Sequence, residues 1–158
     1  DALAISSMSL KKFGKLDFKK FHPGGNLGKK LKTASDVMLT NNKIPFVNQN
    51  ENMKISLKIL NLKKLGFLVV INKDGFNSGV FTDGDLKRLM QKKNKIDNLN
   101  IKNFMNKNPI CVEKNMLAYE VLRQMNKKKI TNVCVYSQEN KRKTIGVIHI
   151  HNLIKILK

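Results

Sequence analysis

The chain has 158 residues, 41% of them hydrophobic, which suits one compact domain or two small ones sharing a core. No apolar run nears the ~20 residues a membrane helix needs, and the N-terminus carries no basic-then-apolar leader. Lys and Arg (31) outnumber Asp and Glu (11), for a formal charge of +20, yet the lysines are scattered, aromatics are 6% and Trp is absent, which argues against a nucleic-acid surface.

Residues 1–13 ("DALAISSMSLKKF") predict a short helix, and "HPGGNLG", from His22 to Gly28, breaks it. The start at Asp1 rather than Met predicts a piece of a longer chain, with residues 1–34 as the tail of a preceding domain and its linker. From Ser35 "SDVM" reads as a helix start and "KIPFV" as a short strand with Pro45 at an edge. "MKISLKILNLKKL" has helical apolar spacing, and "GFLVVI" is a strand buried on both faces. The turn "NKDGFNS" leads to the strand "GVFT" and a helix starting near Asp85.

The same order then recurs. "KNFM" ends at Met105, as far beyond Met38 as the Gly146 of "GVIHIHNLIKIL" lies beyond the Gly79 of "GVFTDGDLKRLM". "PICV" is the second short strand, and "MLAYEVLRQMNKKKI" places Ala118, Val121, Leu122 and Met125 on one helical face. "TNVCVY" is the buried strand, "SQENKRKT" a longer turn, and "NLIKIL" the last helix. In the middle of the second copy the apolar pattern suggests a smaller offset, which a shorter start and a longer hairpin loop account for. Two β-α-β-β-α units of this size cannot each bury a helix and sheet alone, so an α/β (α+β) fold with two repeats packed about a pseudo-twofold is expected, over 35–95 and 100–158.

Cys111 and Cys134 sit in apolar strand contexts without metal-ligand spacing, which predicts buried reduced thiols and a cytoplasmic protein. Thr82, Asp83 and Asp85 fall where a strand meets a helix, a place that suits either an anionic ligand or helix capping. In the second copy His149 and His151 alternate and Asn152 replaces Asp85. No third ligand stands near the two histidines, so no metal is expected.

At these residues the chain resembles a tandem cystathionine-β-synthase (CBS) domain pair: "GVFTDGDL" follows that family's Gly-hydrophobic-hydrophobic-Thr-x-x-Asp ribose motif. In the second motif His149 stands in the Thr place and Asn152 in the Asp place. "DALA", "FHPGGNLGKKL", "FTDGDLKR" and "GVIHIHNL" together are similar to the C-terminal half of the D-arabinose-5-phosphate isomerase family, in which a sugar-isomerase (SIS) domain precedes the CBS pair.

That resemblance implies a parent enzyme interconverting ribulose 5-phosphate and arabinose 5-phosphate on the route to 3-deoxy-D-manno-octulosonate (Kdo), for lipopolysaccharide or capsule. It implies a catalytic role for His22, with this piece inactive alone because the remaining catalytic residues lie upstream. It implies a regulatory nucleotide or nucleotide sugar between the repeats: CMP-Kdo, CMP or an adenine nucleotide, with no required cofactor. Thr131, His149, His151 and Asn152 are expected in one cleft and Thr82, Asp83 and Asp85 in another. Homodimers of CBS pairs and a full-length tetramer are the expected assembly. A ligand-free assembly module and a basic nucleic-acid binder are the rival readings.

Overall fold

The computed structural model describes Gly28 and residues 31–158. The helix expected over residues 1–13 and His22 lie outside them. A short helix α1 (Ala34–Val37) opens the described chain. The first repeat runs β1 (Phe46–Asn48), α2 (Met53–Lys63), β2 (Phe67–Ile71), β3 (Asn77–Thr82), α3 (Asp83–Lys92). The second runs β4 (Cys111–Glu113), α4 (Ala118–Lys128), β5 (Asn132–Ser137), β6 (Asn140–His149), α5 (Ile150–Leu157). Each repeat makes a three-stranded sheet, in order β1-β2-β3 and β4-β5-β6. The first pair in each is parallel, joined through a helix, and the second antiparallel, joined by a hairpin.

The apolar patterns explain these elements. β2 is a continuous hydrophobic stretch because one face meets its own helices and the other meets the second sheet. α4 buries Ala118, Val121 and Met125, three of the four residues its periodicity singles out. α2 is started by Asn52, whose Oδ1 accepts the Ile55 N–H at 2.9 Å. It stops at Lys64, which turns left-handed at φ 55°, and α4 stops the same way at Lys129, φ 53°.

Strand register corrects two details of the repeat. Phe46 pairs with Val69 and Cys111 with Cys134, which makes Phe46 the equivalent of Cys111 and Val69 that of Cys134. The offset in the middle of the copy therefore shrinks by less than the apolar pattern suggests. The expected longer loop at "SQENKRKT" is instead a longer strand. Ser137 pairs with Asn140 across a tight turn, and β6 continues to His149 through two register shifts. Arg142 lies on this arm with its guanidinium 4.5 Å from the centre of the Phe76 ring in the other repeat, a cation–π contact that polar composition does not advertise.

Chain order and spatial order part company at the leading segments. α1 heads the first repeat in sequence yet packs on the second. Ala34 donates to the Met116 carbonyl at 2.8 Å, Leu39 bridges Val147, and Ala34 and Val37 join Val121, Met125 and Leu153 in one core. Reciprocally, Met53 of the first repeat donates to Leu99 at 2.7 Å, Val80 bridges Asn106, and Ile101 is buried with Met53 and Phe81. A third core, with Ile44, Phe67, Val69, Cys134 and Val147, joins the two sheets. Beside it the Asn77 amide donates to Thr144 Oγ1 at 2.9 Å, a bond between equivalent positions of the two repeats and therefore close to the pseudo-twofold.

The glycine that opens each "GV" is required by this exchange. A Cβ on Gly79 would overlap the Asn106 carbonyl oxygen and stand 3.0 Å from Met105 Sδ. A Cβ on Gly146 would run into the Met38 side chain. Gly79→Ala is expected to cost about 1–3 kcal/mol by overpacking against backbone. Gly146→Ala should cost less, because a methionine side chain can swing aside. Urea unfolding of the two variants checks the order.

Candidate ligand cleft between the repeats

The strands β2 and β5 begin, and the helices α3 and α5 start, around one open cleft of about 640 Å³. Equivalent residues enter it in pairs: Lys64 with Lys129, Gly66 with Thr131, Phe67 with Asn132, and Thr82 with His149. The charged side chains in its wall are Lys64, Arg88 and Lys129 against Asp83. Such a wall favours an anionic ligand.

The two helix starts are built differently. In α3, Thr82 and Asp85 form a capping box: the Asp85 Oδ2 accepts from the Thr82 N–H at 2.8 Å and from its hydroxyl at 2.7 Å. The other carboxylate oxygen of Asp85 takes the Arg88 guanidinium at 2.6 Å. Asp83 adds a second acid to this first turn. The first turn of α5 has no acid, and its cap is His149, whose Nδ1 accepts the His151 N–H at 3.2 Å. The second half of the cleft is therefore where a helix start still favours an anion.

His149 is held below its ordinary 6.5, first by burial and second by the charge of His151. The neutral ring accepts at Nδ1, which leaves Nε2–H as its donor. Beside it Asn132 donates from Nδ2 to Thr131 Oγ1 at 3.1 Å, while its Oδ1 is buried with no partner. A buried carbonyl oxygen without a donor costs stability until something supplies one.

The CBS domain family matches residues 101–158. Among solved structures, CBSX2 in complex with AMP is 22% identical at a TM-score of 0.64, with 78% of this chain and 93% of that chain covered. The CBS domain pair of protein MJ0100, in complex with 5′-methylthioadenosine and S-adenosyl-L-methionine, is 19% identical at a TM-score of 0.69, covering 80% of this chain and 95% of that one. This chain has the fold of a CBS domain pair. Arabinose 5-phosphate isomerase KdsD of Salmonella typhi is 35% identical over 156 residues, 98% of this chain and 47% of that protein. The chain thus spans about half the length of the curated relatives it matches.

Within the CBS pair, four of the residues singled out in the sequence share the cleft wall: Thr82, Asp83, Thr131 and His149. The two sets expected in separate clefts thus meet in one. Asp85, His151 and Asn152 do not line it. Both oxygens of Asp85 are engaged within α3, so capping accounts for that residue without a ligand. His151 is exposed, with its ring 5.1 Å from that of His149. Among the described residues no three His, Cys, Asp or Glu side chains gather around a metal position, and no helix is long and apolar enough to cross a membrane. His22 lies outside the described residues. Sequence reasoning passes over Lys64, Lys129 and Asn132; superimposing the repeats in the register of their strands pairs the first two at the ends of equivalent helices.

Because the folded pKa of His149 is lowered, the unfolded chain binds this proton first as pH falls. The contribution of His149 is present above its ordinary 6.5 and is lost as pH falls from there toward its lowered folded value. His149→Asn keeps a capping side chain but removes the titration. Its melting temperature should fall less than that of the unaltered chain between pH 7.5 and 5.5, read by circular dichroism.

Proposed function

We propose that this CBS pair binds a nucleotide or nucleotide sugar, CMP-Kdo first among the candidates, and that occupancy regulates the isomerase of its parent protein. The observation that carries the reading is the unpartnered Asn132 Oδ1 in a cationic cleft. Cytosine and adenine share an exocyclic amino group, the donor this oxygen lacks, whereas uracil presents a carbonyl at the equivalent position. Lys64, Lys129 and the acid-free start of α5 suit phosphate and, for CMP-Kdo, the sugar carboxylate. Two of the structural neighbours hold adenine compounds, which supports the class of ligand. In this reading Thr82, Asp83, Thr131 and His149 contact the ligand, while Asp85 holds the α3 start that frames it.

The regulated reaction is then the interconversion of ribulose 5-phosphate and arabinose 5-phosphate at the head of Kdo synthesis, in the cytoplasm, with CMP-Kdo as end-product signal. His22 belongs to that reaction and this chain alone does not turn over substrate. A second reading has an observation of its own. The equivalent helices α2 and α4 expose Ile55, Leu62 and Tyr119, the last two more than 60% accessible, which suits pairing of two CBS pairs and assembly of the parent into a tetramer.

Isothermal titration at physiological salt with CMP-Kdo, CMP, AMP and UMP tests the proposal. An amino group satisfying a buried acceptor is worth about 1–3 kcal/mol, so CMP should bind roughly tenfold or more tighter than UMP. Asn132→Leu should level the two. Equal affinities for CMP and UMP in the unaltered chain would remove the base assignment. No heat from any titrant, with the chain dimeric by sedimentation, would leave the assembly role.

A further inference from the structure

Cys111 and Cys134 are direct partners in the parallel register of β4 and β5, so their side chains leave the sheet on the same face. That face looks into the core between the repeats, where both thiols are free. Neighbouring strands lie about 4.7–4.9 Å apart, within the roughly 4.4–6.8 Å between Cα atoms that a disulfide spans. Cys134 is buried and contributes to the cleft wall, whereas Cys111 is part-exposed at the strand start, its thiol 3.7 Å from the Pro109 carbonyl. The equivalent positions in the first repeat are Phe46 and Val69, so the pair occurs once.

We infer that Cys111 and Cys134 form a reversible dithiol–disulfide pair beside the ligand cleft, closed by hydrogen peroxide and reopened by a small thiol. The hydrogen bond with Cys134 holds the Cys111 thiol below its ordinary value, making it the nucleophile. The same bond and burial push Cys134 well up, so it keeps its proton until the second step. Cys111 sulfur attacks one peroxide oxygen; the O–O bond breaks, the departing hydroxide takes a proton and leaves as water, and Cys111 becomes a sulfenic acid. Cys134 sulfur then attacks Cys111 sulfur. The S–S bond forms as the S–O bond breaks, and the hydroxide leaves with the Cys134 proton as a second water. Two thiols lose two electrons and two protons, and one hydrogen peroxide is reduced to two waters. The cross-link draws Cys134 toward β4 and so changes the cleft wall. A link with one sulfur part-exposed, as at Cys111, is open to reduction by a small thiol.

The test treats the folded chain with hydrogen peroxide, blocks remaining thiols with iodoacetamide and measures intact mass without reductant. The expected product is a monomer lighter by two hydrogens with no alkylation, returning to a doubly alkylatable form after dithiothreitol. Cys134→Ser should stop at a Cys111 sulfenic acid that dimedone captures, and Cys111→Ser should leave Cys134 unoxidised. Oxygen addition at Cys111 in the unaltered chain, a disulfide between two chains, or two thiols persisting after peroxide would each overturn the inference.

Discussion

Two glycines hold the architecture together. Gly79 and Gly146 leave room for Met105 and Met38, each carried by the leading segment that precedes the other repeat in the chain. The close approach admits the backbone pairings Val80–Asn106 and Leu39–Val147, which tie each sheet to that segment. With Cβ atoms at these two positions the segments could not lie flat on β3 and β6. Ala34, Val37 and Ile101 would then lose the cores they complete. The duplication is therefore not two independent domains side by side: each repeat is finished by a piece that belongs, in sequence, to its twin.

The same near-symmetry builds a cleft and then breaks its equivalence. Where the first repeat has Gly66, Phe67, Asp83 and Asp85, the second has Thr131, Asn132, Ile150 and Asn152. The first half closes its helix start with its own carboxylates and an arginine. The second half removes the acids, caps with a neutral imidazole and leaves a buried amide oxygen unanswered. Two lysines stand in left-handed positions where glycine is the easier residue, and both line this cleft. Stability has been given up on both sides for positive charge at the mouth.

Much of this is legible in the residues. The "GV" strands, the α4 stripe and the buried "FLVVI" and "NVCV" segments follow from elementary periodicity and burial. The exchange of leading segments is not, because Met38 and Met105 fit either copy equally well on paper; only the fit to a particular glycine decides. The arm at "NKRKT" reads as loop since it lacks alternation, and its partner Phe76 lies in the other repeat. The ribose-type motif is visible, but not that Thr82 and Arg88 consume its final carboxylate. Lys64 and Lys129 are hidden by abundance, two lysines in a chain rich in them.

The exchange also sets the order in which the chain can mature. Leu39 waits for Val147, and the helix that opens the described chain has no core to join until nearly the last strand has emerged from the ribosome. The first repeat cannot finish early either, because Ile101 and Asn106 come after it. Contacts so distant in sequence slow folding and leave apolar faces open meanwhile. During synthesis the β3 edge therefore stays uncovered until Asn106 emerges, and α1 stays unseated until Val147 follows.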